Sequence, residues 1–362
     1  MITDLKMGGE SKHLVRTISS LDAWQHVVSC LTVTTDPGAA PGSVLPEIEE
    51  LGVPVVDLGV SPRQPLTVPR GAIRLSRLAR NEEPDLVHST LIHANQLSQP
   101  LSWLGFPLIC SLVVTDPWRR SWQRMLDRQA SRRAVFLANS RAVAASLVDG
   151  GLDRGRVRFL HYGVDCDHFS PEGSHAELEG DPIVLGVGRL HRQKGFEDLL
   201  RAAAGLSVPA SVVLVGDGPL HGALTRTAAE LGVGLTVVPG VRDIVPFLRR
   251  ADVVALPSLY EGLPNVLLEA LATGRTVVAS DLPGHREVIR DGENGILTAP
   301  SDVKALTEAI DRALRDDGSL GAKGRDTILT HFRWETYIER RKLLYESIAW
   351  RSTKPSRFLQ EI

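Results

Sequence analysis

Cysteine is scarce: Cys30, Cys110 and Cys166 are the only three in 362 residues, widely spaced, odd in number and without a C-x-x-C pair. A reducing, cytoplasmic compartment with buried structural thiols is the expectation. Neither sign of charge is in excess. The net charge is −2 with 23% charged residues, which gives no electrostatic case for nucleic acid. Long apolar runs are missing as well. The uncharged stretch 93–115 contains Asn95, Gln96, Gln99, Pro100 and Pro107, and reads as a helix end followed by the buried strand PLICSLVV rather than a membrane span. Asp4 and Lys6 interrupt the amino terminus before any apolar core, so no signal-peptide pattern is seen. Low-complexity segments and short fixed-period repeats are absent.

Several chemical signatures are lacking too. There is no G-x-x-x-x-G-K-[ST] phosphate loop and no G-x-S-x-G elbow. Gly186 and Gly188 imitate a dinucleotide fingerprint, but His191 stands at the third glycine position, and GDGPLHG (216–222) is wrongly spaced, so a nicotinamide reading fails its own motif. Histidine and cysteine spacings make no metal cluster.

What is present is alternation. HVVSCLTVTT, PDLVHST, PLICSLVVT and RAVFLANS read as strands in the first half; DPIVLGVGRL, SVVLVGDG, LTVVPG, ADVVALPS and TVVASDLPG do so in the second. Between them lie helical patterns such as SKHLVRTISSL, GAIRLSRLARNE, RAVAASLVDGG, FEDLLRAAAGL, LHGALTRTAAELG and VLLEALATG. Near-continuous Val/Ile/Leu strands alternating with helices imply parallel sheets covered on both faces. The expected fold class is α/β, with two doubly wound, Rossmann-like domains facing a cleft. The polar stretch 170–182 is read as the linker, giving domains 1–170 and 171–335, followed by a closing segment 336–362.

SLYEGLPNVLLEALATG, residues 258–274, carries two carboxylates eight residues apart. The upstream run ADVVALPS reads as a buried strand ending near Pro257. Apolar residues at 266, 267, 270 and 271 make the following segment helical, with Pro264 in its first turn and Gly274 past its end. Glu261 then lies in the strand-to-helix turn and Glu269 about one turn into the helix. Backbone N–H groups at Asn265, Val266 and Leu267 would form an anion site at the helix start. By itself the pair is more readily an acidic helix start with no chemistry.

Read in order, GVGRLHRQKG, LVGDGP and PSLYEGLPNVLLEALATGRTVVAS resemble the family 4 retaining glycosyltransferases of the GT-B fold. The resemblance spans nearly the whole chain. ITDLKMGGESKHLVRTI is similar to that family's glycine loop and first helix, DLVHSTLIHANQLS to its N-domain strand and helix, and HYGVDCDHFSP to the end of its first domain. SDLPGHREVIRDGENGIL resembles its late C-domain strand and loop, and HFRWETYIERRKLLYESI its closing helix.

The resemblance implies an acceptor-side N-terminal domain, a nucleotide-sugar-binding C-terminal domain and a closing helix that packs back on the first. It implies transfer of a sugar from a nucleotide-diphosphate sugar to a hydroxyl of a glycan or lipid-linked acceptor, with retention and with neither cofactor nor metal. Arg189 and Lys194 would clamp the diphosphate, Glu261 would bind donor-sugar hydroxyls and Glu269 the ribose. Asn265, Val266 and Leu267 would offer amides to phosphate; Gly8, Gly9, Gly188, Gly216 and Gly218 would allow close backbone approach; Arg242 would lie near the base edge. His88 and His93 are candidates on the acceptor or sugar side. So is Asp116, which follows Thr115, where the family often carries histidine.

Two further departures mark the chain. Tyr162 replaces a usual asparagine, and most of the first central strand before ITDL is missing, so the expectation is a native start upstream of Met1. DPWRRSWQRMLDRQASRR, 116–133, holds six arginines against two aspartates, with Trp118 and Trp122. It implies peripheral contact with the inner membrane face or an anionic lipid-linked acceptor; a solvated basic helix is the other reading. An inactive nucleotide-sugar-binding scaffold and a GT-B epimerase or phosphorylase are the alternative functions. Donor, acceptor, linkage and oligomeric state are not written in these motifs.

Overall fold

The computed structural model describes residues 1, 2, 5, 8–32, 43–61, 64, 66–114 and 121–349. The chain divides into two compact units, Met1–His161 with Tyr337–Ile362, and Tyr162–Thr336. The division falls at His161, ahead of the polar 170–182 stretch, which carries neither helix nor strand and belongs to the second unit.

In the first unit, strands β1 (Val28–Cys30) and β2 (Val55–Asp57) pair in parallel. A four-stranded parallel ribbon runs β3 (Val87–Thr90), β4 (Leu108–Leu112), β5 (Val135–Ala138) and β6 (Val157–Phe159). Ile2 forms parallel bridges to both Cys30 and Thr90 and so joins the two groups. Every residue of β4 and β5 is buried, as expected of strands covered by helices on both faces. The first strand is shorter than HVVSCLTVTT suggests: Val28–Cys30 is extended, and residues 33–42 lie outside the described part. The helix Arg141–Asp149 begins where Ser140 accepts a hydrogen bond from the Val143 amide, a cap of a type worth about 1 kcal/mol.

The second unit holds one six-stranded parallel sheet in the order β12-β11-β10-β7-β8-β9. Its strands are β7 (Ile183–Val187), β8 (Ser211–Val215), β9 (Leu235–Val238), β10 (Val253–Leu256), β11 (Thr276–Ser280) and β12 (Ile296–Thr298). The chain builds outward from β7 through β8 to β9, then returns to the other side of β7 with β10 and builds the opposite way. That reversal is a topological switch point, and crevices at the carboxyl ends of such strands are where doubly wound sheets bind ligands. Ile183, Val184 and Leu185 of β7 are fully enclosed, each side chain contributing about 1.5–3 kcal/mol. Val184 shares one core with Leu199, Leu200, Val212, Leu214, Val253 and Ile310.

Three helices of this unit, Val245–Arg250, Val303–Leu314 and Ser319–His331, carry no signature quoted from the sequence. Val303–Leu314 starts at Asp302, whose carboxylate accepts from the Ala305 amide, and Ser319–His331 starts at Gly318. No described helix is long and apolar enough to cross a membrane.

Candidate active site

The loops that follow β7, β8, β10 and β11 leave the same edge of the sheet, and those after β7 and β10 flank the switch point. The loop after β7 runs through Gly188 and Arg189 into a short 3-10 turn, Arg192–Lys194, in which the His191 ring accepts from the Gln193 amide. Gln193 ties this turn to the β10 loop twice: its side-chain amide donates to the Tyr260 carbonyl at 3.0 Å, and its own carbonyl accepts from the Leu259 amide at 2.8 Å. Gly195 closes the turn with φ +65°, and a Cβ there would run into the Pro257 carbonyl oxygen. Only glycine satisfies both the left-handed backbone and that approach.

Held this way, Lys194 donates from Nζ to Glu261 Oε1 at 2.6 Å, and the Ser258 hydroxyl donates to the same oxygen at 3.3 Å. The side chains are 18% and 10% exposed, so the pair is shielded from bulk water but open to a ligand. Oε2 of Glu261 takes no hydrogen bond among the described residues, which leaves an ionised oxygen as an acceptor. Arg189 is exposed, and its guanidinium has no partner among the described residues. A free fork of donors, an ammonium and a half-claimed carboxylate are thereby gathered at the switch point. The set suits a ligand with an anionic end and a hydroxylated end.

The third loop stacks on the first. Gly216, at φ +149°, lies so close to the Gly188 carbonyl that a Cβ would collide with it, and Gly218 meets the Leu190 carbonyl in the same manner. Asp217 between them accepts from the Gly240 amide at 2.7 Å and fixes the loop after β9. Arg242 is exposed in that last loop.

The helix Asn265–Ala272 starts one residue later than the sequence pattern implies, with Pro264 as its N-cap rather than in its first turn. No side chain caps it, so its first amides, at Asn265 and Val266, have no intrahelical acceptor; the Leu267 amide donates to the Pro264 carbonyl at 3.1 Å. Glu269 lies one turn inside, half-buried, and Gly274 ends the segment at φ +68°. Glu261 and Glu269 therefore differ in setting, one in the loop beside a cation and the other on the helix.

In the first unit, Gly9 is the first residue of the helix Gly9–Ser20, and Gly8 its extended N-cap. His93 is exposed in the first turn of the helix Ile92–Trp103. His88 is half-buried in a network of its own unit: Nε2 lies 2.5 Å from the Ser111 hydroxyl, while Nδ1 contacts the Tyr345 hydroxyl and lies 3.0 Å from Arg341. Burial, assisted by the Arg341 charge, holds its pKa well below the usual histidine value, and His13 is displaced in the same way. Asp116 and Thr115 lie outside the described residues, as do Trp118, Arg119 and Arg120.

Motif reading passed over Gln193, Ser258, Gly195 and His285. All four stand inside quoted motifs, but their roles depend on which loop each touches, and that is not visible in spacing.

Residues 181–316 match the family described as "Glycosyl transferases group 1", and residues 8–163 match the "Glycosyl transferase 4-like domain". The alpha-maltose-1-phosphate synthase of Mycolicibacterium smegmatis is 32% identical, with 76% of this chain and 82% of that protein covered. The lipopolysaccharide core biosynthesis glycosyltransferase LpsE of Rhizobium meliloti is 29% identical over 74% of this chain and 77% of its own length. Among solved structures, Anabaena Alr3699/HepE in complex with UDP is similar in fold, with a TM-score of 0.80, 20% identity and coverage of 96% of this chain and 99% of that one. The chain belongs to the group 1, family-4-type glycosyltransferases of the GT-B fold, and it is a glycosyltransferase.

Proposed function

We propose that the protein transfers a sugar from a nucleotide-diphosphate sugar to a hydroxyl of a glycan or lipid-linked acceptor, with retention at the anomeric carbon. The observation that carries this reading is the Lys194–Glu261 pair at the switch point, with one carboxylate oxygen unclaimed and the free Arg189 guanidinium on the same loop as Lys194. Arg189 and Lys194 receive the diphosphate and neutralise the charge that grows on it as the glycosidic bond breaks. Two side-chain cations so placed do this work with no metal ion or other cofactor. The uncapped amides of Asn265 and Val266 add a fixed partial positive charge. Glu261 accepts from donor-sugar hydroxyls and Glu269 from the ribose, so one flexible ligand is gripped at both ends. Similarity to a structure solved with UDP and with UDP-glucose supports a nucleotide sugar as the co-substrate.

Neither carboxylate need become covalently attached. The leaving phosphate takes the acceptor's proton on the face from which it departs, and the protein's part is alignment and charge stabilisation. Measuring nucleotide release and the anomeric configuration of the product with a panel of UDP-, GDP- and ADP-sugars tests this. Transfer with retention is expected; an inverted product counts against the proposal.

A lipid-linked acceptor at the inner face of the membrane is the finer form of the same proposal. It draws on the described part of 116–133, the helix Ser121–Ala130, where Trp122 and Met125 are about half exposed beside the exposed Arg124 and Arg128. Co-sedimentation with anionic vesicles that is lost in Trp122→Ser/Arg124→Glu supports it; co-sedimentation unchanged by those substitutions speaks against it.

A further inference from the structure

The turn that carries His285 packs against the loop of Glu261, and the charges of Lys194 and Glu261 both act on its ring. β11 ends at Ser280, the chain turns through Asp281–Gly284, and His285 opens the 3-10 turn His285–Glu287. The backbone at Gly284 closes on the Gly262 carbonyl so tightly that no Cβ fits between them, which sets this turn against the residue that follows Glu261. The imidazole itself is 0% exposed.

Its protonation pattern is fixed by one contact. Nδ1 lies 2.7 Å from the Ser280 carbonyl oxygen. A carbonyl can only accept, so Nδ1 carries a hydrogen. In the neutral ring Nε2 is then a bare lone pair, and it is enclosed with no hydrogen-bond partner among the described residues. An acceptor left unmade in this way costs roughly 1–3 kcal/mol, so its retention calls for a reason. Three charged groups act on the ring: Glu261 from the β10 loop, Lys194 from the β7 loop and Asp281 on its own turn. Asp281 is already held by the Arg286 guanidinium at 2.6 Å. Glu261 is the carboxylate with an oxygen to spare.

We propose that His285 is a positioning residue for Glu261: with its proton held on Nδ1 by Ser280, the ring offers the pair no N–H and leaves the second Glu261 oxygen free for a substrate hydroxyl. This rests on the role given to Glu261 above. Protonation makes Nε2 a donor and the ring a second cation. Its charge then competes with that of Lys194 for the carboxylate and weakens the acceptor that the substrate hydroxyl needs. Burial, the largest influence, lowers the pKa of His285 below the usual 6.5, and the Lys194 charge adds to this, against the Ser280 contact and the charges of Glu261 and Asp281. The ring is thereby kept neutral at physiological pH.

The test is long-range ¹H–¹⁵N spectroscopy of the full chain labelled at histidine, from about pH 4 to about pH 8, on the wild type, Glu261→Gln and Lys194→Met. The His285→Asn variant assigns the signal. The expected spectrum shows an Nδ1–H tautomer at neutral pH, with a midpoint that falls in Glu261→Gln and rises in Lys194→Met. An Nε2–H tautomer, or a midpoint unmoved by both substitutions, overturns the proposal.

A second readout is UDP release from UDP-glucose across the same range. Wild-type kcat/KM should fall about tenfold per pH unit below the His285 midpoint. His285→Asn, whose amide can keep the Ser280 contact without an Nε2, should give a profile flat through that midpoint, whatever its height. The same acid limb in His285→Asn overturns the proposal. Absence of UDP release from the wild type counts instead against UDP-glucose as a donor, and the spectra still decide the role of His285.

Discussion

Removing the Glu261 carboxylate takes away both the partner of Lys194 and the free acceptor of the site. Glu261→Ala is expected to lower transfer by about a hundredfold or more, the scale seen when one aimed electrostatic group is lost from a catalytic site. The fold should be retained with some loss of thermal stability, because Lys194 is left without its partner at a place shielded from water. Glu269→Ala should mainly raise the donor KM and spare kcat, since the ribose it is proposed to hold does not react. Initial rates over a range of donor concentrations separate the two. Near-native kinetics in both variants would remove the assignment of the two carboxylates. At this scale the sequence is most legible where charge is sparse: Arg189, Lys194 and Glu261 can be named from motifs. His285 could not, because its part depends on a fixed tautomer and an enclosed lone pair, and neither leaves a mark on spacing.

Loops at the carboxyl edge of the second sheet hold these side chains by backbone approach. Gly195→Ala must place a Cβ at φ +65° against the Pro257 carbonyl, and should cost more than about 1 kcal/mol while displacing Lys194 from Glu261. Urea unfolding and transfer rate should therefore fall together. A change that leaves stability intact and activity high would show that the turn is not held as described.

Most elements were legible because β7, β8, β10 and β11 are unbroken Val/Ile/Leu-rich runs bounded by Gly, Pro or Asp. β2, β6 and β12 have three residues each, too few for alternation to be read. The one-residue shift at Pro264 is within the usual uncertainty of helix ends.

Taken whole, the chain interleaves its units in sequence, since the segment from Tyr337 belongs with residues 1–161. Arg341, 6% exposed, explains how that segment is held: it donates to the Tyr345 hydroxyl at 2.7 Å and to Thr17 at 3.3 Å, contacts Tyr337, and lies against His88. His13 and His88 both have folded-state pKa values well below 6.5, with burial as the main cause. The unfolded chain therefore takes up these protons first as pH falls. The stability they contribute is complete above 6.5 and is lost as pH drops below it, by up to about 1.4 kcal/mol per pH unit per histidine until the folded-state pKa is reached. Urea midpoints that fall from pH 7 toward pH 5 are expected, with a shallower slope in His88→Gln; an unchanged slope would contradict this. The closing helix was readable from HFRWETYIERRKLLYESI, whereas the burial of Arg341 was not, because nothing local distinguishes it from Arg340 beside it.

The most direct measurement is nucleotide release from UDP-, GDP- and ADP-sugars by the full chain and by Glu261→Ala. Release from at least one donor by the wild type, reduced about a hundredfold or more in the variant, is the expected result. Equal release by both proteins, or release from none of the donors, would contradict a donor site built on the Lys194–Glu261 pair.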